Sequence, residues 1–271
     1  MIKQAIIPLA GLGTRLLPLT SVLPKELLPI NGRAGLEYIL DECIESGIKE
    51  IILIISNKKK IIKKYFYNDS FYKKIIKRKK NDKRIKGEYS KIKKYKKIIK
   101  FVYQNTPRGT GDAVLKCEKH IKSNYFLMLL PDDLIIGNNC SKSMIKLNKK
   151  YNSSIIASKK VPKKDVSRWG IFKFKKIYKK NFMINDVIEK PNINSAPSNY
   201  AVIGRYILSK KIFKILKKQK PGKNGEIHIT DSINTMVKTK NKFFGHIFAG
   251  NYLDCGTKKG YIKSSKEISK L

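Results

Sequence analysis

Residues 3–9 read Lys-Gln-Ala-Ile-Ile-Pro-Leu, and the apolar stretch within them predicts a short buried strand. A glycine-bearing turn follows at residues 10–13. Leu36, Ile39, Leu40, Cys43 and Ile44 then recur at helical spacing, and Gly47 suits the end of that helix. Residues 50–55 form a second apolar run. Strand, helix and strand in that order predict a parallel sheet joined by right-handed crossovers.

Residues 58–99 break the rhythm. Lys dominates, with Tyr, Phe and Ile interspersed, which predicts solvated helices peripheral to the sheet. Strands resume at 98–103 and 125–130, with a helix over 112–121 between them. A further strand is expected at 153–159. The second half predicts short strands at 170–174, 185–189, 200–207 and 243–248, and helices at 211–216, 227–237 and 258–268. No repeat or flexible linker interrupts the chain, so a single α/β unit over 1–271 is expected.

Composition adjusts this picture in three ways. The 41% apolar content of the 271 residues is enough for a sizeable core. No stretch reaches the roughly 18 apolar residues of a membrane span, and the first residues lack a signal-peptide layout, so a cytoplasmic protein is expected. Cys43, Cys117, Cys140 and Cys255 form no CxxC pair, which argues for reduced thiols over a zinc site or disulfide framework.

The net charge of +40 is the most conspicuous number. It is compatible with a polyanion-binding surface. However, the excess is mostly Lys, spread along the whole chain with much Ile and Asn, as AT-rich codon drift produces. Arg15, Arg33, Arg108, Arg168 and Arg205 instead fall within or beside the motifs below.

Gly11-Leu-Gly-Thr-Arg15 directly follows the first strand. Glycines there let backbone N–H groups approach a phosphate. It is neither a dinucleotide fingerprint, because Leu16 stands at the last glycine position, nor a P-loop, because no Gly-Lys-Ser/Thr follows. Taken alone, a structural turn explains it equally well. Asp132 and Asp133 end an apolar strand, where open α/β sheets bind ligands, and a carboxylate there suits Mg²⁺.

The longer stretch Ala10-Gly-Leu-Gly-Thr-Arg-Leu-Leu-Pro-Leu-Thr20, continued by Pro24-Lys-Glu-Leu-Leu-Pro29, resembles the GxGTRLxPxT…PKxLLP pattern of sugar-1-phosphate nucleotidyltransferases. Its Pro-Lys-Glu version resembles their glucose-1-phosphate uridylyltransferase branch. Three more stretches resemble the same branch: Gln104-Asn-Thr-Pro-Arg-Gly-Thr-Gly-Asp-Ala113, Val187-Ile-Glu-Lys-Pro191 and Ala196-Pro-Ser-Asn-Tyr-Ala-Val-Ile-Gly-Arg205. The likeness runs from about residue 2 to 263.

This resemblance implies a Rossmann-like α/β/α sandwich with a mixed, mostly parallel sheet, the nucleotide-diphospho-sugar transferase fold. A nucleotide-binding half would span about 1–150 and a sugar-binding half about 151–271. It implies UTP and glucose 1-phosphate as substrates, Mg²⁺ as cofactor and a homo-oligomer of two or four chains. Arg15 and Lys25 match the catalytic cations. Ala10, Gly11, Gly13, Gln104 and Gly109 match nucleotide-binding positions. Gly170, Glu189 and Lys190 match the sugar-phosphate site, and Asp132 and Asp254 the metal ligands, the latter within Leu253-Asp-Cys-Gly256. No matching role falls to His120, His228 or His246.

The departures are Arg108 for Lys, Asp112 for His, Arg33-Ala34 for Lys-Pro, Ser21 for Lys, Trp169 for Tyr, His228 for Gln and a shortened tail. A thymidylyltransferase of the same superfamily is the nearest alternative, although its relatives carry Lys-Gln at Lys25-Glu26 and lack Pro-Ser-Asn. A nucleic-acid-binding protein is the alternative from another class. No helix-turn-helix, zinc or RNA-recognition motif accompanies the basic segment.

If the charge reflects drift, nucleic-acid binding should be non-specific and collapse by ~10³–10⁵ between about 50 and 200 mM salt. Exchanging Lys73, Lys74, Lys77, Lys93, Lys94 and Lys97 for Gln should leave uridylyl transfer intact. Filter binding across salt concentrations checks the first. Tight, sequence-selective binding at physiological salt that this variant loses would reverse the reading.

Overall fold

The computed structural model describes residues 1–222 and 225–270. In chain order the first elements are β1 (Gln4–Pro8), β2 (Pro29–Ile30), β3 (Arg33–Ala34), α1 (Gly35–Glu45) and β4 (Glu50–Ile55). Next come α2 (Lys60–Tyr67), α3 (Asp69–Arg78), α4 (Lys83–Ile98), β5 (Ile99–Tyr103), α5 (Thr110–Leu115), β6 (Tyr125–Leu129), β7 (Asp133–Ile136) and α6 (Cys140–Tyr151). The second half holds β8 (Ser154–Lys160), β9 (Gly170–Lys173), β10 (Asn181–Met183), β11 (Asp186–Glu189) and β12 (Tyr200–Ser209). It closes with α7 (Ile212–Leu216), α8 (Ile229–Lys238), β13 (Phe243–Ile247), β14 (Asn251–Asp254) and α9 (Lys258–Ile268).

One sheet runs β10-β13-β8-β12-β6-β1-β4-β5, with β9 and β11 attached beside β12. β6, β1, β4 and β5 are mutually parallel, and β8 and β13 point the same way. β12 and β10 run against them. Alternation along each strand sends residues to opposite faces. Ala5, Ile7, Ile51, Leu53 and Ile55 pack with α1, α2, α4 and α6, while Ile6, Ile52 and Ile54 pack with α5, α7 and α8. The result is an α/β/α sandwich, as the resemblance implied. From β1 the chain goes first to β4 and β5 on one side, then to β6 on the other. That reversal opens a crevice at the carboxyl ends of β1 and β6, where such sheets bind ligands.

Several expected elements differ. The 112–121 helix is shorter, with α5 ending at Leu115 and a separate turn at Glu118–His120. α6, β7, β10 and β14 carry no strong period. α6 buries Ser141 and Asn148 alongside Cys140 and Met144, so its inner face is half polar. β14 is defined by its ladder with the distant β7. The 58–99 segment is helical, and α3 buries no residue, but α2 and α4 press Ile62, Phe66, Ile92 and Tyr95 into the core. All four cysteines are free and buried, and burial pushes the thiols of Cys117 and Cys255 up to about 12. No described helix is long and apolar enough to cross a membrane.

Arg205 on β12 is fully buried and grips Glu42 of α1 through Nε and Nη2, at 3.0 and 2.8 Å from Oε2. Its Nη1 donates to the carbonyls of Leu130 and Gly204. Burial opposes the guanidinium charge, but Glu42 outweighs it and raises the pKa. Arg205→Met should destabilise the fold by about 3–5 kcal/mol, because Glu42 is left as an uncompensated buried charge. Urea unfolding checks this: a lower midpoint at unchanged slope is expected.

Candidate active site

The loop after β1 carries the first group. Gly13 sits at φ +71° and opens a single 3-10 turn, Thr14–Leu16; Thr20 Oγ1 donates to the Gly13 carbonyl at 2.8 Å. Ala10 is buried at the strand end, and a Cβ on Gly11 would meet nothing within 4 Å, so the loop's outer side is open. A later 3-10 turn, Lys25–Leu27, aims Lys25 Nζ at Asp132 Oδ2 at 2.6 Å. Arg15 Nη2 lies 3.6 Å from the same oxygen. The Lys25 side chain is 16% exposed and that of Arg15 65%, so Lys25 is held in place while Arg15 can sweep outward.

Asp132 follows β6, and Asp133 begins β7. Cys255 N donates to the Asp132 carbonyl at 2.7 Å, which brings the end of β14 alongside. Asp254 accepts from Arg168 Nη2 at 2.8 Å and from Gly256 N at 2.9 Å. A Cβ on Gly256 would stand 2.7 Å from Asp132 Oδ2 and 3.2 Å from Asp254 Oδ1. Both carboxylates therefore border one small space. Hard oxygen donors so placed suit a small divalent cation that takes its remaining ligands from phosphate and water. Among the described residues no group of three or more His, Cys, Asp or Glu is arranged to hold a metal.

Burial alone would raise the Asp132 pKa, but Lys25 and Arg15 outweigh it and lower the value. Burial likewise works against the Lys25 charge, and Asp132 with Glu26 raises its pKa nonetheless. Asp133 is pushed up to about 6, first by burial and then by Asp132. It is anchored by Tyr252 Oη at 2.7 Å and Gly204 N at 2.8 Å.

The second group follows β5. Gln104 is buried, and its backbone N–H continues the ladder to Ile55 O at 2.9 Å. Gly109 adopts φ +96°, and a Cβ there would meet Ile227 O at 2.6 Å, so the loop leaves no room for a side chain. Ile227 N donates to Arg108 O and Gly111 N to Ile227 O, clamping this loop to the segment before α8.

The third group lies across β9 and β11, which pair Gly170 with Glu189. A Cβ on Gly170 would be 3.1 Å from Glu189 Oε2. Lys190 is exposed and left-handed at φ +45°, which costs a non-glycine residue about 1–2 kcal/mol. Its N–H donates to Trp169 O at 3.1 Å. Burial first, then Asp133 and Glu189, raise the pKa of Tyr206 on β12. Arg15, Arg168, Trp169 and Asp254 line a common cleft of about 660 Å³.

The nucleotidyl transferase family pattern matches residues 4–270. This chain belongs to the nucleotidyl transferase family. It is 37% identical over 273 residues to the UTP–glucose-1-phosphate uridylyltransferase of Streptococcus pyogenes, covering 97% of this chain and 88% of that protein. A crystal structure of UDP-glucose pyrophosphorylase complexed with UDP-glucose superposes with a TM-score of 0.88 at 35% identity, over 100% of this chain and 99% of that one. UTP-bound UGPase from Acinetobacter baumannii gives 0.86 at 30% identity, covering 99% and 93%.

Three supporting residues of this nucleotidyl transferase emerge only from the packing. Lys59, expected in the peripheral segment, is instead buried beside the crevice. Its Nζ bonds Glu26 Oε2 at 2.9 Å and Leu9 O at 2.7 Å, tying the Lys25 turn to the end of β1. Burial lowers its pKa, and Glu26 restores only part. One lysine among Lys58, Lys59 and Lys60 gives no signal of this. Arg168, which in the sequence merely lies beside a motif, bonds Asp254 and stacks 4.5 Å above the Trp169 ring. Asp112, in the sequence a departure from the family pattern, accepts a hydrogen bond from Gln104. His246, without a matching role, donates from Nδ1 to Asn181 Oδ1 at 2.8 Å, and burial lowers its pKa to about 4.

Gly256→Ala tests the two-carboxylate space. The added carbon would force Asp132 aside while leaving the backbone unstrained. Turnover should fall about 10²-fold, the scale of a misplacement near 1 Å, with the thermal midpoint close to the parent's. Pyrophosphate-release kinetics and a melting curve check it together.

Proposed function

We propose that the chain joins UTP and glucose 1-phosphate into UDP-glucose and pyrophosphate. The observation that supports this most is the convergence of Asp132 and Asp254 on one space, beside Arg15 and Lys25, at the carboxyl ends of the parallel strands. Such a site is built to gather phosphates.

The second pKa of a sugar phosphate is about 6, so glucose 1-phosphate is largely dianionic at neutral pH and needs no general base. Its phosphate oxygen attacks the α-phosphorus of UTP. The bond from that phosphorus to the bridging oxygen breaks, and the electron pair leaves with pyrophosphate. The difficulty is bringing two polyanions into line. Lys190 and Glu189 hold the sugar phosphate and the sugar hydroxyls, with the Gly170 backbone against the ring. Ala10, Gly11, Gly13, Gln104 and Gly109 hold the nucleotide. Arg15 and Lys25 take up the charge that develops on pyrophosphate. Asp132 and Asp254 would hold Mg²⁺, a hard Lewis acid that neutralises phosphate charge when bound. We also propose a cytoplasmic location, where UTP is made and used, and assembly into a homo-dimer or homo-tetramer.

A panel of nucleoside triphosphates and sugar 1-phosphates tests the assignment by pyrophosphate release. UTP with glucose 1-phosphate should be the fastest pair. Faster release with dTTP would move the chain to the thymidylyltransferase branch.

A further inference from the structure

The Gln104 amide sits at the bottom of the base loop, and the structure shows what fixes its orientation. Gln104 Nε2 donates to Asp112 Oδ2 at 2.6 Å and to Gly109 O at 3.3 Å. Gln104 and Asp112 are both buried, at 4% and 7% exposure. Asp112 cannot swing away easily, because it lies in the first turn of α5. That turn is clamped by Gly111 N to Ile227 O at 2.7 Å and by Ile229 N to Thr110 Oγ1 at 3.2 Å. Its other oxygen, Oδ1, is 3.9 Å from Lys116 Nζ.

A carboxylate only accepts hydrogen bonds, whereas an amide carries two donors at one end and an acceptor at the other. Facing Asp112, Gln104 can present only its NH₂ end. The reversed amide would set two oxygens at hydrogen-bond distance in a buried site, without a proton between them. Both Gln104 donors already have acceptors, so what the side chain offers a ligand is Oε1, an acceptor.

We infer that Asp112 is a specificity-determining positioning residue, locking the Gln104 amide so that Oε1 accepts from a base carrying a ring N–H. Uracil has that proton at N3. Cytosine has a lone pair there, which would face Oε1 with no proton to share. Asp112 thus selects uracil over cytosine without touching the base. This rests on the proposed role of Gln104 at the nucleotide base.

Asp112→Asn tests it. An asparagine can turn either end of its amide to Gln104, so Gln104 can reverse and offer a donor to cytosine. The preference for UTP over CTP should narrow by about tenfold or more, the scale of one buried hydrogen bond. KM for UTP should rise while KM for glucose 1-phosphate stays put, a split that general damage to the fold would not give. Asp112→Ala, which removes the lock without offering a donor, should narrow the preference in the same direction and serves if the asparagine variant fails to fold. Calorimetric binding of UTP and CTP reads the same ratio without turnover. UDP-glucose formation by the parent reports separately on the reaction proposed above. An unchanged UTP-to-CTP ratio in a folded variant, or equal binding of the two nucleotides by the parent, would overturn the inference.

Discussion

Arg205 of β12 ties its strand to α1 and to the end of β6 from a position closed to water. Its guanidinium holds Glu42 of α1, and Glu42 also accepts from the backbone and hydroxyl of Ser141 on α6. The same guanidinium caps the carbonyl of Leu130, at the end of β6. In a low-dielectric interior such a pair is stable only when complete, since either partner alone is a stranded charge. Its neighbour Gly204 donates to Asp133, at an irregularity where the register of β12 shifts against β8. The Pro131-Asp132-Asp133 turn is thereby tied, through Leu130 and Gly204, to a charge pair closed to water.

The protein carries sixty Lys and Arg against twenty Asp and Glu, so most of its cations face solvent. Exposed charges are screened beyond about 8 Å at physiological ionic strength, and buried pairs much less. The few acidic side chains in the interior consequently govern the site far more than the Lys-rich surface does. Glu26 places Lys59 and with it the Lys25 turn; Asp132 engages Lys25; Glu42 engages Arg205. Each pair ties two segments distant in sequence. The strained backbone at Lys190 belongs to the same pattern. It persists because the β9–β11 ladder and the Trp169 carbonyl over-determine it.

Much of the fold was legible along the chain. The strands at Gln4–Pro8, Glu50–Ile55 and Phe243–Ile247 and the helix at Lys258–Ile268 follow from local apolar runs and periodicity. α6 was not legible, because its buried face carries the polar Ser141, whose partner Glu42 is far off in sequence, and Asn148, which bonds the Ser153 carbonyl just beyond the helix. β14 and β7 were missed for a related reason: each is only four residues long and exists because the other lies beside it. The motif residues stood out in the sequence as a group. The structure gathers Arg15, Lys25, Asp132 and Asp254 in one place, Gln104 with Gly109 in a second, and Gly170, Glu189 and Lys190 in a third.

By itself, then, the sequence determined the main strands and helices of the sandwich, the family and the identity of the motif side chains, because these are written in local spacing. Tertiary structure alone decided which charges meet. Lys59 and its neighbours Lys58 and Lys60 are indistinguishable in a string, yet only Lys59 is turned inward onto Glu26. Asp112 looks like a flaw in a motif until Gln104 is seen beside it. The physical reason is the same in both cases. A buried hydrogen bond or ion pair depends on distance and desolvation, and neither is defined until chain segments far apart in sequence have packed together.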